Sequence, residues 1–308
     1  MAAIYCPYID EEIGPDDSTQ DHIIAKSFGG VDALSIPSSF ANLKIGSEIE
    51  GRLCQDFFLA HARIGADARG NSGLTPKYVV KSAPETKSEK ILRVEFSPHT
   101  LGLWDPIAKT NAVDVTGFRY TVEVQQQRFI HERARMLAKI ALGYSTYRWG
   151  SGFRAHAAHA DLRKVLWSQS LKEFDPGFAV TLDVPLFRIV RGDTRASAIE
   201  GLCKSVGRRS CIGVMPQNGR LNIFAGLLGQ YIGSIGFDCD VDGIWEEPEN
   251  NYGSFLFIWE DLPVAIGLRE AFERMLYCIR NRSHWQLHKP SDLAQFVAAA
   301  RSGGWIDR

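Results

Sequence analysis

The feature that most constrains this chain lies near its start: Thr19-Gln20-Asp21-His22-Ile23-Ile24-Ala25-Lys26-Ser27-Phe28-Gly29-Gly30, then Ala41-Asn42-Leu43-Lys44-Ile45-Gly46-Ser47-Glu48-Ile49-Glu50. An acid and a histidine stand side by side, and a glycine pair supplies a sharp turn. A loop through Pro37 follows, and Asn42 opens a segment whose apolar positions 45, 49, 53, 57 and 58 have helical spacing over Leu43 to Ala62. Asp21 and Asn42 offer oxygen atoms of the kind Mg²⁺, Mn²⁺ or Ca²⁺ accepts. An imidazole such as that of His22 can take a proton from water. Neighbours in a strand point to opposite faces, so Asp21 and His22 serve one site only where the strand bends or ends. The bland alternatives are a turn with a hydrogen-bonded histidine, and Asn42 as the N-cap of a helix beginning near Leu43.

The pattern Asp-His-Ile-Ile-x-x-Ser-x-Gly-Gly, then Asn-x-x-x-Gly-Ser-Glu-Ile-Glu, resembles the HNH endonucleases with their ββα-metal finger, over about residues 4 to 60. The resemblance implies Asp21 as metal ligand, His22 as general base and Asn42 as second metal ligand, the acid-His-Asn variant of phage-type resolvases. It implies one divalent cation, Mg²⁺ or else Mn²⁺, and hydrolysis of phosphodiester bonds in DNA, with RNA as the other substrate. Many relatives carry zinc on two Cys-x-x-Cys pairs, and this chain departs from them. Cys6 is partnered by Ile9, and Ser38 and Ala41 replace the second pair. No structural zinc is expected; packing of Ile4, Tyr5, Ile23, Ile24, Phe28, Ile45 and Ile49 holds the element instead. Lys26 and Lys44 are candidate phosphate contacts, with solvated lysines as the alternative. Glu48 and Glu50 read as surface or capping acids.

The fold expected is α+β: a ββα-metal (HNH) finger over 1–64, a Gly/Pro-rich linker over 65–76, and a larger mixed region over 77–308, with a possible subdivision near 175, for target recognition or regulation. Strands are expected at Tyr78 to Val80, Ile91 to Phe96 and Val113 to Val124, and a helix from Gln127 to Arg148. That helix gathers Arg128, Arg135 and Lys139 on one side, a candidate nucleic-acid contact or else a solvated face. A second helix is expected near His156 to Trp167; its two histidines, His156 and His159, lack a further ligand. From about 178 strands dominate: Phe178 to Val184, Phe187 to Val190, Cys211 to Met215, Leu221 to Phe224, Tyr231 to Phe237 and Phe255 to Trp259. Asn218-Gly219 signals a hairpin and an antiparallel sheet. Arg269 to Asn281 is a last helix, and the tail with Trp285 and Trp305 is expected to pack.

Charge is near balance at −1 but unevenly spread. Acids dominate from Asp10 to Asp67, bases from Arg128 to Gln169 and in a cluster of Arg188, Arg191, Arg195, Lys204, Arg208 and Arg209, as for a molecule with one basic face. No run approaches the roughly 18 apolar residues of a membrane span, no leader pattern opens the chain, and six scattered cysteines suit reduced thiols, so a cytoplasmic protein without disulfides is expected. There is no Gly-Lys-Ser or Gly-Lys-Thr phosphate loop and no Gly-x-Ser-x-Gly elbow, which argues against nucleotide-driven motors and serine hydrolases. The leading expectation is an endonuclease, and a homodimer would suit double-strand cutting. A silent nucleic-acid-binding protein on a degenerate finger is the first alternative, and a protein-interaction effector the second.

Overall fold

Two short ribbons form at the N-terminus, β1 (Ile4–Cys6) with β2 (Glu11–Ile13) and β3 (Ser18–His22) with β4 (Ser35–Ser39), both antiparallel. The computed structural model describes residues 3–84, 91–111, 129–174, 180–183, 194–245 and 252–281. The turn after β3 needs both glycines. Gly29 has φ 77°, and a Cβ at Gly30 would lie 1.6 Å from the Ile24 carbonyl oxygen. Pro37, expected in a loop, sits in β4 opposite Gln20. A two-stranded ribbon tolerates it because alternate residues of each strand turn their N–H outward.

The expected single helix after Asn42 is broken into α1 (Ala41–Ile45), a π-helical turn (Gly46–Glu50), α2 (Gly51–Leu53) and α3 (Phe57–Gly65). The break falls at Asp56, whose carboxylate caps α3 by accepting from the Phe58 and Leu59 N–H groups. A small meander follows: β5 (Tyr78–Pro84), β6 (Ile91–Phe96), β7 (Leu101–Asp105) and β8 (Thr110–Asn111), with Val94 and Leu103 at its centre. Rings of Phe57, His61, Tyr78 and Phe96 tie it to α3.

Three helices come next: α4 (Ile130–Trp149), α5 (Ser151–His156) and α6 (Ala160–Trp167). Then β9 (Val180–Asp183), α7 (Thr194–Ser205), β10 (Cys211–Gln217), β11 (Arg220–Leu227), β12 (Gln230–Asp238), β13 (Ser254–Trp259), β14 (Leu262–Gly267) and α8 (Leu268–Arg280) complete the described chain. The strands form one antiparallel sheet in the order β14-β13-β10-β11-β12-β9. Asn218 (φ 47°) and Gly219 (φ 74°) make the expected tight turn between β10 and β11, both in the left-handed region that such hairpins require. The architecture is α+β, as expected. The expected strands at Val113 to Val124 and Phe187 to Val190, together with Trp285 and Trp305, lie outside the described residues.

The side-chain alternation of the sheet separates two cores. Ile212, Val214, Ile223, Ala225 and Ile235 lie on the side of α4, whereas Cys211, Phe224, Phe255 and Phe257 face α7 and α8. Residues 1–64 do not have a core of their own, contrary to the expected separate finger. Ile23, Ile24, Phe28, Ile45, Ile49 and Leu53 join the cluster of Met136, Leu137, Ile140 and the sheet, and Ala68 of the expected linker packs there too. α4 is buried from Ile130 to Ser145, with only His131 half-buried.

Among the described residues, the charged side chains buried in this core each have a partner of opposite charge. Arg133 of α4 donates to Asp56 at 2.6 Å, both nearly sealed from solvent, while Arg163–Asp10 and Arg154–Glu12 close the rim of the same interface. Removing one member of a buried pair leaves an uncompensated charge, typically about 3–5 kcal/mol, and loss of the α3 cap adds about 1 kcal/mol. Asp56→Ala is therefore expected to lower the unfolding free energy by about 4–6 kcal/mol in urea titration. A loss below about 1 kcal/mol would show that the pair does not hold the N-terminal segment to α4.

Candidate functional site

β3 carries Asp21 and His22 to opposite faces, as strand periodicity requires. Asp21 turns inward. Its Oδ2 accepts from the Tyr8 hydroxyl at 2.5 Å and lies 3.2 Å from Lys139 Nζ. Lys139 reaches in from α4 and also donates to Glu50 Oε1 at 2.6 Å and to the His22 carbonyl at 2.5 Å. The lysine side chain is 0% exposed. Burial alone would push its ammonium down, but Glu50 and then Asp21 outweigh it and hold the group above its ordinary value. The Tyr8 phenol is pushed well up, first by burial and then by the Asp21 charge, and serves as a donor only.

His22 turns outward. Its Nε2 lies 2.7 Å from Asp32 Oδ1, which also receives Lys26 at 2.8 Å. Asn42 is not a cap: α1 has Phe40 in that position, and Asn42 sits in the first turn. Its amide donates to Thr19 Oγ1 at 2.5 Å, and among the described residues its buried Oδ1 has no partner. Turning the amide over would leave its nitrogen unpaired instead. The hairpin and helix thus carry all three sequence-predicted residues, but each side chain is committed to a different partner and the three do not meet.

Asp21 and Asn42 do not fit the divalent cation that the resemblance implies. An ion bound at Asp21 would stand within a few ångströms of the Lys139 ammonium, where like charges repel strongly in a poorly solvated site. Among the described residues, no group of three or more His, Cys, Asp or Glu side chains is arranged to hold a metal. Cys6, the one remaining knuckle thiol, exchanges hydrogen bonds with Ser39 through its Sγ.

The candidate nucleic-acid contacts on α4 also need correcting. Arg135 is buried, donating to the Leu166 carbonyl and to Glu48, and Lys139 is the core lysine already described. Arg128 lies outside the described residues. Lys26 and Lys44 do reach the surface, Lys44 lying 5.5 Å from the Trp167 ring centre. Glu50, expected as a surface or capping acid, proves to be a principal partner of Lys139. The one local signal for it was a single lysine within the apolar run Leu137-Ala138-Lys139-Ile140-Ala141.

A second feature lies where the end of α3 meets the central sheet. A cleft of about 900 Å³ is lined by Ala66, Lys204, Gly207, Arg208, Arg209, Leu228, Gly229 and Gln230, with no carboxylate among the described residues of the lining. Lys204 pairs with Glu200 behind it, Arg208 is tethered to the Gly65 carbonyl, and Arg209 lies 3.6 Å from the centre of the Trp259 ring. Lys204, Arg208 and Arg209 are three of the six residues of the expected basic cluster; Arg195 lies on α7, and Arg188 and Arg191 lie outside the described residues.

Lys26 first, then His22, holds the Asp32 carboxyl down from 3.8 to about 2 by hydrogen bonding. A carboxyl lowered on folding contributes stability above its unfolded value, and that contribution is lost as pH falls through about 2. Carboxyl-carbon NMR should therefore place the Asp32 titration near 2 in the native protein and return it toward 3.8 in Lys26→Met/His22→Ala. An unchanged midpoint in the double variant would sink the assignment.

Comparison with known proteins gave no match by family model, by curated sequence or by solved structure.

Proposed function

We propose that this chain is a nucleic-acid-binding protein in which the ββα-like element is structural and the basic cleft contacts the phosphate backbone. The observation that carries the reading is the cleft. Three cations line it, Lys204, Arg208 and Arg209, and among the described residues no carboxylate does, Glu200 pairing with Lys204 from outside the lining. Arginine and lysine so placed attract phosphates and release counterions on binding. The structural role of the ββα-like element follows from Lys139, which engages Asp21, the residue on which hydrolysis would depend. A guanidinium stacked on an indole, as at Arg209 and Trp259, is held in place while its charge remains available.

A second reading, an endonuclease with His22 as general base, is favoured by two particular observations. Asp32 holds the His22 ring, which is 16% exposed, and among the described residues the buried Asn42 Oδ1 has no partner. It requires Lys139 to release Asp21.

Fluorescence anisotropy with duplex and single-stranded DNA and RNA across a salt series separates these readings, with plasmid nicking in Mg²⁺ or Mn²⁺ run in parallel. Binding that weakens with salt, without cleavage, is expected. Arg208→Ala/Lys204→Ala should lower the log–log salt slope by about 2. Cleavage abolished by His22→Ala would move the conclusion to the second reading. Absence of any salt-dependent association would end both and favour a protein-interaction role.

A further inference from the structure

We infer that Lys139 is a built-in cation: its ammonium fills an oxygen cage, closing the N-terminal element without a divalent ion, and its removal leaves those oxygens as a site for an added one. The cage consists of Asp21 Oδ2 at 3.2 Å, Glu50 Oε1 at 2.6 Å and the His22 main-chain carbonyl at 2.5 Å. An alkylammonium has three N–H donors and no acceptor, and here three oxygens receive them. The group is therefore fully satisfied although wholly buried.

The amine and its oxygen partners belong to three separate elements. Asp21 and the His22 carbonyl come from β3, Glu50 from the π-helical turn, and the amine from α4. The ammonium thus joins hairpin to helix and both to the core, which is the work a bound ion performs in small metal-held elements. Tyr8 fixes one side of the cage by donating to Asp21 Oδ2. Two carboxylates and a main-chain carbonyl are also hard oxygen ligands of the type that Ca²⁺, Mg²⁺ and Mn²⁺ select. With the amine in place such an ion is repelled. With the amine gone, two negative charges match a divalent cation, and Glu50 keeps a path to solvent through its partly exposed side chain.

The test is thermal unfolding of the full chain in chelator and in millimolar Ca²⁺, Mg²⁺ or Mn²⁺, with no nucleic acid present, so the outcome is independent of the cleft. Wild-type Tm is expected to be the same in every condition. Lys139→Ala is expected to fall by on the order of 5–10 °C in chelator, to recover part of that loss in at least one of the three ions, and to lose the recovery when combined with Asp21→Asn. A wild-type Tm that rises with an ion and drops in chelator, with the rise abolished by Asp21→Asn, overturns the inference. So does a Lys139→Ala variant that no ion stabilises, or one as stable as the wild type. Should Lys139→Ala fail to fold in chelator, the variant is refolded in each ion: recovery of folded protein supports the cage, and failure in all three overturns it.

Discussion

Docking of the N-terminal segment onto α4 depends on matched charge across a largely buried interface. Arg133 meets Asp56, Arg135 meets Glu48, and Lys139 meets both Asp21 and Glu50. Taking such groups out of water is costly, and their mutual attraction repays it only with close geometry and satisfied hydrogen bonds. The pairs therefore add little stability over an apolar interface of the same shape, while any other docking would leave several charges buried and unpaired. Apolar packing by Ile45, Ile49 and Leu53 is non-directional, whereas the ion pairs require particular partners to meet at close range. The rim pairs Arg154–Glu12 and Arg163–Asp10 sit nearer solvent, where such contacts contribute only about 0–1 kcal/mol.

This arrangement explains why the charge pattern of the sequence was legible but its meaning was not. Acid-rich and base-rich blocks were plain to see, and their natural interpretation was one basic face open to a polyanion. In the folded chain the blocks largely neutralise each other, with charged partners separated by 77 to 153 positions. No local window contains such a pairing. The helical period of α4 was readable because it depends on residues three and four apart, but the identity of what covers that helix was not. Strands β10 to β13 were readable for the same local reason, helped by Asn218-Gly219. β14 was not, since Pro263 argues against a strand; it is accommodated because β14 is the edge of the sheet.

The candidate trio shows a different limit. Its residue types and order were clear in the sequence, and so was the condition attached to them: adjacent strand residues share a site only if the strand ends between or just after them. β3 does end at His22, but the chain beyond it turns so that Ile23 and Ile24 enter the core, leaving the His22 ring outside with Asp32. Asp21 stays on the inner face with Tyr8. Spacing can place residues on one hairpin and helix, whereas the direction of each side chain depends on which apolar neighbours are pulled inward.

What an ammonium can and cannot do in the place of a metal ion follows from its tether. A catalytic cation keeps coordination positions for water and for a phosphate oxygen, and it draws electron density from both. The three N–H donors of Lys139 are consumed by Asp21, Glu50 and the His22 carbonyl, and the amine is 0% exposed. It offers no open position, and its single charge is spread over two carboxylates. The same contacts that hold the element closed therefore withhold Asp21 from chemistry, and any hydrolytic role for His22 would have to begin with a movement of α4 or of the π-helical turn that separates the lysine from its oxygens.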